Sequence, residues 1–128
     1  MSDSKQRFIE LVHGLFDTFL AEFGLLPVES DWPDTVRYSS NLLTLDFYYG
    51  PPEYRVEVFF IRSQTSPART YSLADLFKKE EIKQWVYENK LTEESEDKVK
   101  QGLAWHYRLL RECCVDALKG DEAFFAGM

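Results

Sequence analysis

The stretch LDFYYGPPEYRVEVFF, residues 45–60, decides the fold because it has the pattern of two β-strands around a turn. Aromatic and β-branched residues alternate with polar ones on both sides of a Gly-Pro-Pro segment, which favours a turn. A loop at residues 50–53 places Tyr49 opposite Tyr54 in an antiparallel pair. The pairs that follow from this register are Phe47 with Val56, Leu45 with Val58 and Leu43 with Phe60.

The residues before this hairpin predict a third strand. A tight turn at residues 40–41 pairs Tyr38 with Leu43. Two residues further from the turn, Val36 pairs with Leu45. Both turns place the same apolar residues on one face, and a one-residue slip of either strand would break that agreement. We therefore predict a three-stranded antiparallel meander whose apolar face consists of Val36, Tyr38, Leu43, Leu45, Phe47, Val56, Val58 and Phe60.

The opposite face of the predicted sheet is polar. In the predicted register Asp46 lies opposite Glu57, and like charges opposed across a sheet cost stability. Arg37 and Arg55 lie on the diagonals, so one interpretation is a solvated lattice of ion pairs, each contributing about 0–1 kcal/mol. The other is a contact patch for a partner, since Tyr and Arg are enriched at interface centres. The candidate partner-contact residues are Asp46, Tyr48, Arg55, Glu57 and Phe59.

Before the sheet, the spacing of apolar residues predicts a helix over residues 4–23 that ends at Gly24. Residues 24–35 contain two prolines and no sustained period, so we predict a connector. Trp32, within it, is expected to fold onto the edge of the core, with a role in partner contact as the alternative. The stripe of the helix consists of Phe8, Leu11, Val12, Leu15, Phe19 and Phe23, widened by Phe16 and Leu20.

After the sheet, a short fourth strand at residues 69–71 is left open. Ser72 and Asp75 have the spacing of a capping box, which predicts one or two short helices that run to about Glu88 and stop at Asn89. A last long helix begins at Thr92 and stops at Gly120, and the aromatic tail after it is expected to dock on the body. Acidic residues in its first turns suit the positive end of a helix; they are Glu93, Glu94, Glu96 and Asp97.

Length and composition agree with one folded domain. The chain has 128 residues, 16% of them aromatic, enough to bury a substantial core. We predict a single α+β domain over residues 1–128, with an N-terminal helix, a three- to four-stranded antiparallel meander, and C-terminal helices packed on one sheet face.

The charge and hydropathy of the chain exclude several classes of partner. The net charge is −7 and the sequence pI about 4.8. An acidic surface without a basic patch disfavours nucleic acid and suits a basic protein partner. No apolar run approaches the roughly 20 residues of a membrane-spanning helix, and the charged start lacks the apolar region of a signal peptide. We therefore expect a cytoplasmic protein that does not enter a membrane.

Motifs for catalysis and for metal or phosphate binding are missing from the sequence. It contains no GxSxG, no glycine-rich phosphate loop and no HExxH. The two cysteines, Cys113 and Cys114, are adjacent, which suits neither a zinc site nor an unstrained disulfide. The one catalytic arrangement left is the carboxylate pair of Asp46 and Glu57, and the neighbouring arginines would keep both groups ionised. We expect no enzymatic activity and no cofactor.

The two histidines lie on or near predicted helical stripes. For His13 and His106 we expect structural roles, because neither has a second metal ligand at suitable spacing. One alternative is a small-ligand pocket between sheet and helices. It would be lined by His106 together with Trp85 and Trp105.

Three segments carry a resemblance to a known group of proteins. They are VRYSSNLLTLDFYYGPPEYRVEVFF (36–60), YSLADLF (71–77) and YRLLRECCVDALKGDEAFF (107–125). This order of meander, Y-x-L-x-D-L helix start and closing L-x-G-D resembles small uncharacterised bacterial proteins, some of which are similar to immunity proteins that neutralise a polymorphic toxin. The resemblance implies a binding role and no active site.

Together these observations predict a non-enzymatic protein-binding domain, an immunity-type inhibitor of a basic bacterial toxin. An acidic inhibitor is steered rapidly onto a basic target. The residues 93–97 are a second possible contact area. An adaptor subunit or a small-ligand-binding domain would fit the same sequence, and so would a homodimer that forms through Leu42, Phe59 and Ile61.

Overall fold

The computed structural model describes residues 2–30, 32, 34–50, 55–62, 69–90 and 98–126 of the chain. Within them the architecture is α+β, as predicted, with helices packed on one face of an antiparallel sheet. The strands are β1 (Leu26–Val28), β2 (Thr35–Ser39), β3 (Thr44–Gly50), β4 (Arg55–Arg62) and β5 (Arg69–Tyr71), in the spatial order β1-β2-β3-β4-β5. The helices are α1 (Ser2–Ala21), α2 (Leu73–Leu76), α3 (Glu80–Glu88), α4 (Lys98–Cys113), α5 (Val115–Leu118) and α6 (Glu122–Phe125).

The core lies between the sheet and helices α1 and α4. All eight residues of the predicted apolar face are buried, which confirms the assignment of the two faces. Helix α1 buries Phe8, Val12, Phe16 and Leu20 against this face, so Phe16 and Leu20 lie at the centre of the stripe and not at its margin. The ring centroids of Phe16 and Phe47 are 4.4 Å apart. The predicted helix end at Gly24 is confirmed by its φ of 77°.

The predicted register of β2 and β3 is wrong by two residues. Tyr38 pairs with Leu45, and the turn contains four residues, 40–43, instead of two. The hydroxyl of Ser40 accepts hydrogen bonds from the backbone N–H groups of Leu42 and Leu43, at 3.2 and 3.1 Å. This side-chain cap stabilises the longer turn, whereas a two-residue turn would require unfavourable positive φ angles. A shift of two residues leaves every side chain on its predicted face.

The register of β3 and β4 is shifted in the same way. Tyr49 pairs with Val56, and the ladder extends to Gly50 and Arg55. The predicted partner of Tyr49, Tyr54, lies outside the described residues.

The sheet has more strands than predicted. Residues 69–71 do form a strand, and the connector contains a further one, β1. All three residues of β1 are exposed, so no alternation of apolar and polar residues announces the strand. The expectation for Trp32 is also wrong, since its side chain is 64% exposed. The backbone N–H of Trp32 donates a hydrogen bond to Ser30 Oγ, and its carbonyl oxygen accepts one from the N–H of Thr35. These bonds hold the backbone in a turn, and the indole lies outside the core.

The C-terminal helices follow their sequence signals. Asp75 accepts a 2.9 Å hydrogen bond from the N–H of Ser72, as the capping box predicts, and α3 stops at Asn89. The predicted start at Thr92 lies outside the described residues. The last helix is interrupted at Cys114, so that α5 turns to bury Ala117 and Leu118.

The end of α5 and the tail agree with the prediction. Gly120 has a φ of 76°, and a Cβ there would lie 2.6 Å from Cβ of Leu42, so both conformation and space require glycine. Phe124 and Phe125 of α6 are buried against the body. The ring of Phe125 lies 5.0 Å from that of Tyr71 and 6.3 Å from that of Phe60.

Candidate functional site

The face of the sheet opposite the helices, here called the polar face, carries all five candidate contact residues. Strand β3 contributes Asp46 and Tyr48, and β4 contributes Arg55, Glu57 and Phe59. Alternation along each strand places them on the side away from the apolar core. The structure brings these side chains together on two adjacent strands, as the sequence predicts, but in different cross-strand pairs.

Asp46 does not lie opposite Glu57. Its partner on β4 is Phe59, and its partner on β2 is Arg37. Arg37 donates two hydrogen bonds to the carboxylate, from Nε to Oδ1 at 2.8 Å and from Nη2 to Oδ2 at 2.9 Å. The side chains of Arg37 and Asp46 are only 26% and 11% exposed. The pair is therefore a bidentate, largely buried cross-strand interaction and not part of a solvated lattice, and Asp46 offers little surface to a partner.

Removal of this ion pair should destabilise the sheet. For Asp46→Ala, Arg37→Met and the double variant, we expect a coupling energy of about 1–2 kcal/mol, more than an exposed pair contributes, because the two hydrogen bonds are charge-assisted. Urea unfolding of the four proteins measures it. A coupling energy below about 0.3 kcal/mol would contradict this prediction, because exposed surface pairs have values of that size.

The other four candidates keep accessible surface. Glu57 pairs with Tyr48 across the strands, and its carboxylate lies 3.9 Å from the guanidinium of Arg55. The side chains of Arg55 and Glu57 are 64% and 37% exposed, and those of Tyr48 and Phe59 are half-buried. With Arg37–Asp46 and Arg55–Glu57 both balanced, the polar face carries mixed charge. The face therefore carries no local excess of carboxylates. The second acidic area, residues 93–97, lies outside the described residues.

Apolar side chains extend the polar face toward β1. Leu26 and Val28 are 56% and 46% exposed, and in their register they lie beside Ser39 and Arg37. Leu42, in the turn between β2 and β3, is 44% exposed. Pro27 lies in the middle of β1 and lacks an N–H, which opposes pairing of this edge with another strand. The edge is protected by Pro27, while Leu26 and Val28 leave apolar surface exposed beside it.

A cavity of about 630 Å³, here called the side cavity, lies between β4 and helices α2, α3 and α4. Five consecutive residues of β4, 55–59, line it, so residues of both sheet faces contribute and the cavity meets the edge of the strand. Strand β5 pairs only with Phe60–Arg62, and no described strand covers this part of the edge. The predicted pocket residues Trp105 and His106 lie in its wall, whereas Trp85 is not among the residues that line it. The apolar wall includes Val56, Val58, Leu73, Phe77, Val86 and Trp105.

His106 is a buried side chain, as expected, and its tautomer is determined by one hydrogen bond. Its Nδ1 lies 2.8 Å from the carbonyl oxygen of Gly102. Because a carbonyl only accepts, Nδ1 carries the proton. Burial lowers the pKa of His106 to about 4 despite this backbone hydrogen bond, so the ring is neutral at physiological pH. Nε2 is then unprotonated and can accept a hydrogen bond.

The other histidine belongs to a polar cluster that joins α1 to β2. Nδ1 of His13 lies 2.8 Å from Oδ1 of Asp17, and the hydroxyl of Tyr38 donates a 2.6 Å hydrogen bond to the same oxygen. Burial, and then the Asp17 carboxylate, raise the pKa of Tyr38 well above its ordinary value. Partial burial raises the pKa of Asp17, but the hydrogen bonds from Tyr38 and His13 outweigh it and leave that pKa lowered. The cluster attaches the helix to the sheet, which agrees with the structural role expected for His13.

The cysteines do not form a nucleophilic site. Cys113 and Cys114 are both free, and burial raises the pKa of each thiol, so both remain protonated at neutral pH. Within the described residues, histidine, cysteine and carboxylate side chains form no group of three that could hold a metal ion.

The fold and these sites define a class: an α+β domain with helices on one sheet face, a polar-aromatic opposite face and a cavity at one strand edge. A comparison with protein families, curated proteins and solved structures finds no match to this chain. Across the ranges that the structure describes, none of the helices has the length and hydropathy needed to cross a bilayer.

Proposed function

We propose that this chain is a non-enzymatic protein-binding domain, an immunity-type inhibitor of a basic bacterial toxin, and that its partner binds the polar face. The observation that carries the proposal is the polar face itself. Among the described residues, the helices that pack on the sheet lie on its other side, and Tyr48, Phe59, Arg55 and Glu57 share this face with accessible surface. Aromatic residues and arginine are the types that supply most binding energy at protein interfaces.

The charge of the chain supports a basic partner. The net charge of −7 attracts a cationic protein over distances of about a Debye length and accelerates its association. Because the polar face has balanced ion pairs, the long-range attraction comes from the whole chain and the short-range contacts from the aromatic residues. Two free cysteines suit the cytoplasmic location that the proposal includes.

A second copy of this chain is the competing occupant of the polar face. The exposed Leu26 and Val28 on β1, together with Phe59 on β4, favour it, and Pro27 makes pairing through the β1 edge less favourable than contact through the face. A homodimer of this kind would leave the polar face buried and unable to bind a toxin.

The test uses two contact variants and one matched control. Glu57→Lys and Phe59→Ala change the polar face, whereas Glu10→Lys changes the net charge by the same amount as Glu57→Lys on the exposed side of α1. We expect the wild-type chain to form a 1:1 complex with a basic protein from the native extract that weakens as salt rises. Both contact variants should weaken the complex at least about tenfold, and Glu10→Lys should change mainly its association rate.

Three outcomes would contradict the proposal. Equal affinity for wild type, Glu57→Lys and Phe59→Ala would exclude the polar face as the contact. A complex that is insensitive to salt would exclude charge steering. A dimeric mass in sedimentation analysis that becomes monomeric in Phe59→Ala would assign the face to a second copy of the chain.

A further inference from the structure

The side cavity has the size and lining of a small-molecule site. Its volume of about 630 Å³ is within the range of roughly 300–1,000 Å³ that ligand pockets occupy. Most of its wall surface is apolar, as is typical of such sites. Its polar lining residues are Arg55, Glu57, Ser72, Lys90, Lys98, Gln101 and His106. The inner wall is built by α4, which approaches β4 closely at Gly102. A Cβ at that position would lie 3.0 Å from Cγ2 of Val56.

One polar atom in this wall has no partner among the described residues. His106 is 6% exposed, and its contacts include the Nδ1–Gly102 hydrogen bond and the ring of Trp105, with centroids 4.9 Å apart. Within the described ranges, Nε2 makes no hydrogen bond. In the same part of the chain no fully enclosed side-chain nitrogen or oxygen lacks a partner, so Nε2 keeps accessible surface. Because His106 lines the side cavity, we take this cavity as the route by which a ligand reaches Nε2.

The chemistry of Nε2 restricts what it can bind. The hydrogen bond to the Gly102 carbonyl holds the proton on Nδ1, so Nε2 presents a lone pair and accepts a hydrogen bond. A carboxylate or phosphate has no proton to donate there. The group that suits this atom is a hydroxyl or an N–H on an otherwise apolar molecule.

We propose that the side cavity binds a small, largely apolar ligand whose hydroxyl or N–H group donates a hydrogen bond to Nε2 of His106. This site is independent of the proposed protein-binding function. Its apolar wall and its acceptor are contributed by the helices and by the inward side chains of β4. The polar face contributes Arg55, Glu57 and Phe59 to the lining.

The test uses two probes that differ in one hydrogen-bond donor. 2-Naphthol carries a hydroxyl, and 2-methoxynaphthalene has the same ring system without a donor. With wild-type protein we expect 2-naphthol to bind about tenfold more tightly, the effect of roughly one buried hydrogen bond. Calorimetry measures both affinities. Nitrogen NMR of histidine-labelled protein should show the Nε2 resonance of His106 move with 2-naphthol alone.

Two variants and one control make the test specific. His106→Asn keeps a donor for the Gly102 carbonyl but removes the acceptor at the position of Nε2, and should reduce the preference for 2-naphthol to about twofold or less. Ala74→Trp adds a large ring to an exposed position of α2 in the cavity wall and should weaken both probes. His13→Asn replaces the histidine outside the cavity and should change neither affinity.

The proposal would be overturned by any of three results. The first is no detectable binding of 2-naphthol to the wild type up to about 1 mM. The second is equal affinity for the two probes. The third is binding that Ala74→Trp leaves unchanged. If His106→Asn does not fold, the probe pair with the wild type and the Ala74→Trp variant still decide the question.

Discussion

Replacing Phe47 with alanine should lower the free energy of unfolding by about 3–5 kcal/mol, the largest effect we expect from a single substitution in this chain. The Phe47 side chain is fully buried in the centre of the sheet. Its ring lies 4.4 Å from that of Phe16 and 5.8 Å, edge to face, from that of Tyr38. Truncation removes these contacts and leaves a cavity between α1 and the sheet, which the surrounding backbone fills only in part. Urea denaturation followed by circular dichroism measures the change.

Phe59→Ala is the matched control for this prediction. Phe59 has the same side chain in the neighbouring strand, but it lies on the polar face and is half-buried. We expect its truncation to cost about 1 kcal/mol, since less apolar surface returns to water. Similar losses for Phe47→Ala and Phe59→Ala would mean that the two faces of the sheet are equally buried, contrary to the structure. The small expected loss also keeps Phe59→Ala folded and suitable for binding experiments.

Lowering the pH from about 7.5 to 5 should reduce the free energy of unfolding by about 2 kcal/mol through His106 alone. Burial lowers the pKa of this residue from 6.5 to about 4 in the folded protein. Between these values the unfolded chain binds a proton that the folded chain does not, so stability increases with pH through this window. The contribution is complete above about pH 6.5 and is lost progressively as the pH falls toward 4.

The two-histidine composition allows a direct control for the pH effect. His106→Asn should remove most of the slope between about pH 5 and 7, whereas His13→Asn should retain it, because that variant leaves the buried His106 in place. Urea midpoints at several pH values in this window give the slope for each protein. A wild-type slope in His106→Asn would assign the pH dependence to other groups.

The agreement between prediction and structure is closest where a pattern has a period. The alternation of apolar residues in β2, β3 and β4 assigned every residue of the buried face, because burial of one face makes the side-chain period visible. The cross-strand partners were wrong by two residues in both hairpins. Alternation cannot distinguish registers that differ by two, since both place each side chain on the same face. The longer first turn depends on the hydroxyl of Ser40, a local hydrogen bond that no periodicity announces.

The same limit applies to the candidate site. The sequence predicted that Asp46, Tyr48, Arg55, Glu57 and Phe59 share one face. Because the strand registers are shifted by two residues, Asp46 lies opposite Arg37, and Tyr48 lies opposite Glu57. The two carboxylates are therefore not opposite each other, as the predicted register required. Asp46 is largely buried, and its main role is the structural ion pair with Arg37. No pattern in the sequence around Trp32 predicted that its indole would be exposed to solvent.

The side cavity depends on contacts between distant parts of the chain. The sequence suggested a pocket near Trp105 and His106, but two further facts determine it. Strand β5 is too short to cover residues 55–59 of β4, and Gly102 lets α4 approach Val56. The second tryptophan of the predicted pocket, Trp85, instead packs against Trp105 with ring centroids 5.6 Å apart.

The sequence by itself determined the α+β class, the two faces of the meander, the helix stops at Gly24 and Gly120, and the net charge of −7. These are local properties, since each depends on a repeat of two or 3.6 residues, on one backbone conformation, or on composition. Only the tertiary structure decided the registers, strand β1, the Arg37–Asp46 pair and the accessible Nε2 of His106. Each of these depends on which distant surfaces pack together. The free energy of that packing depends on several segments at once, so no single segment of the sequence predicts it.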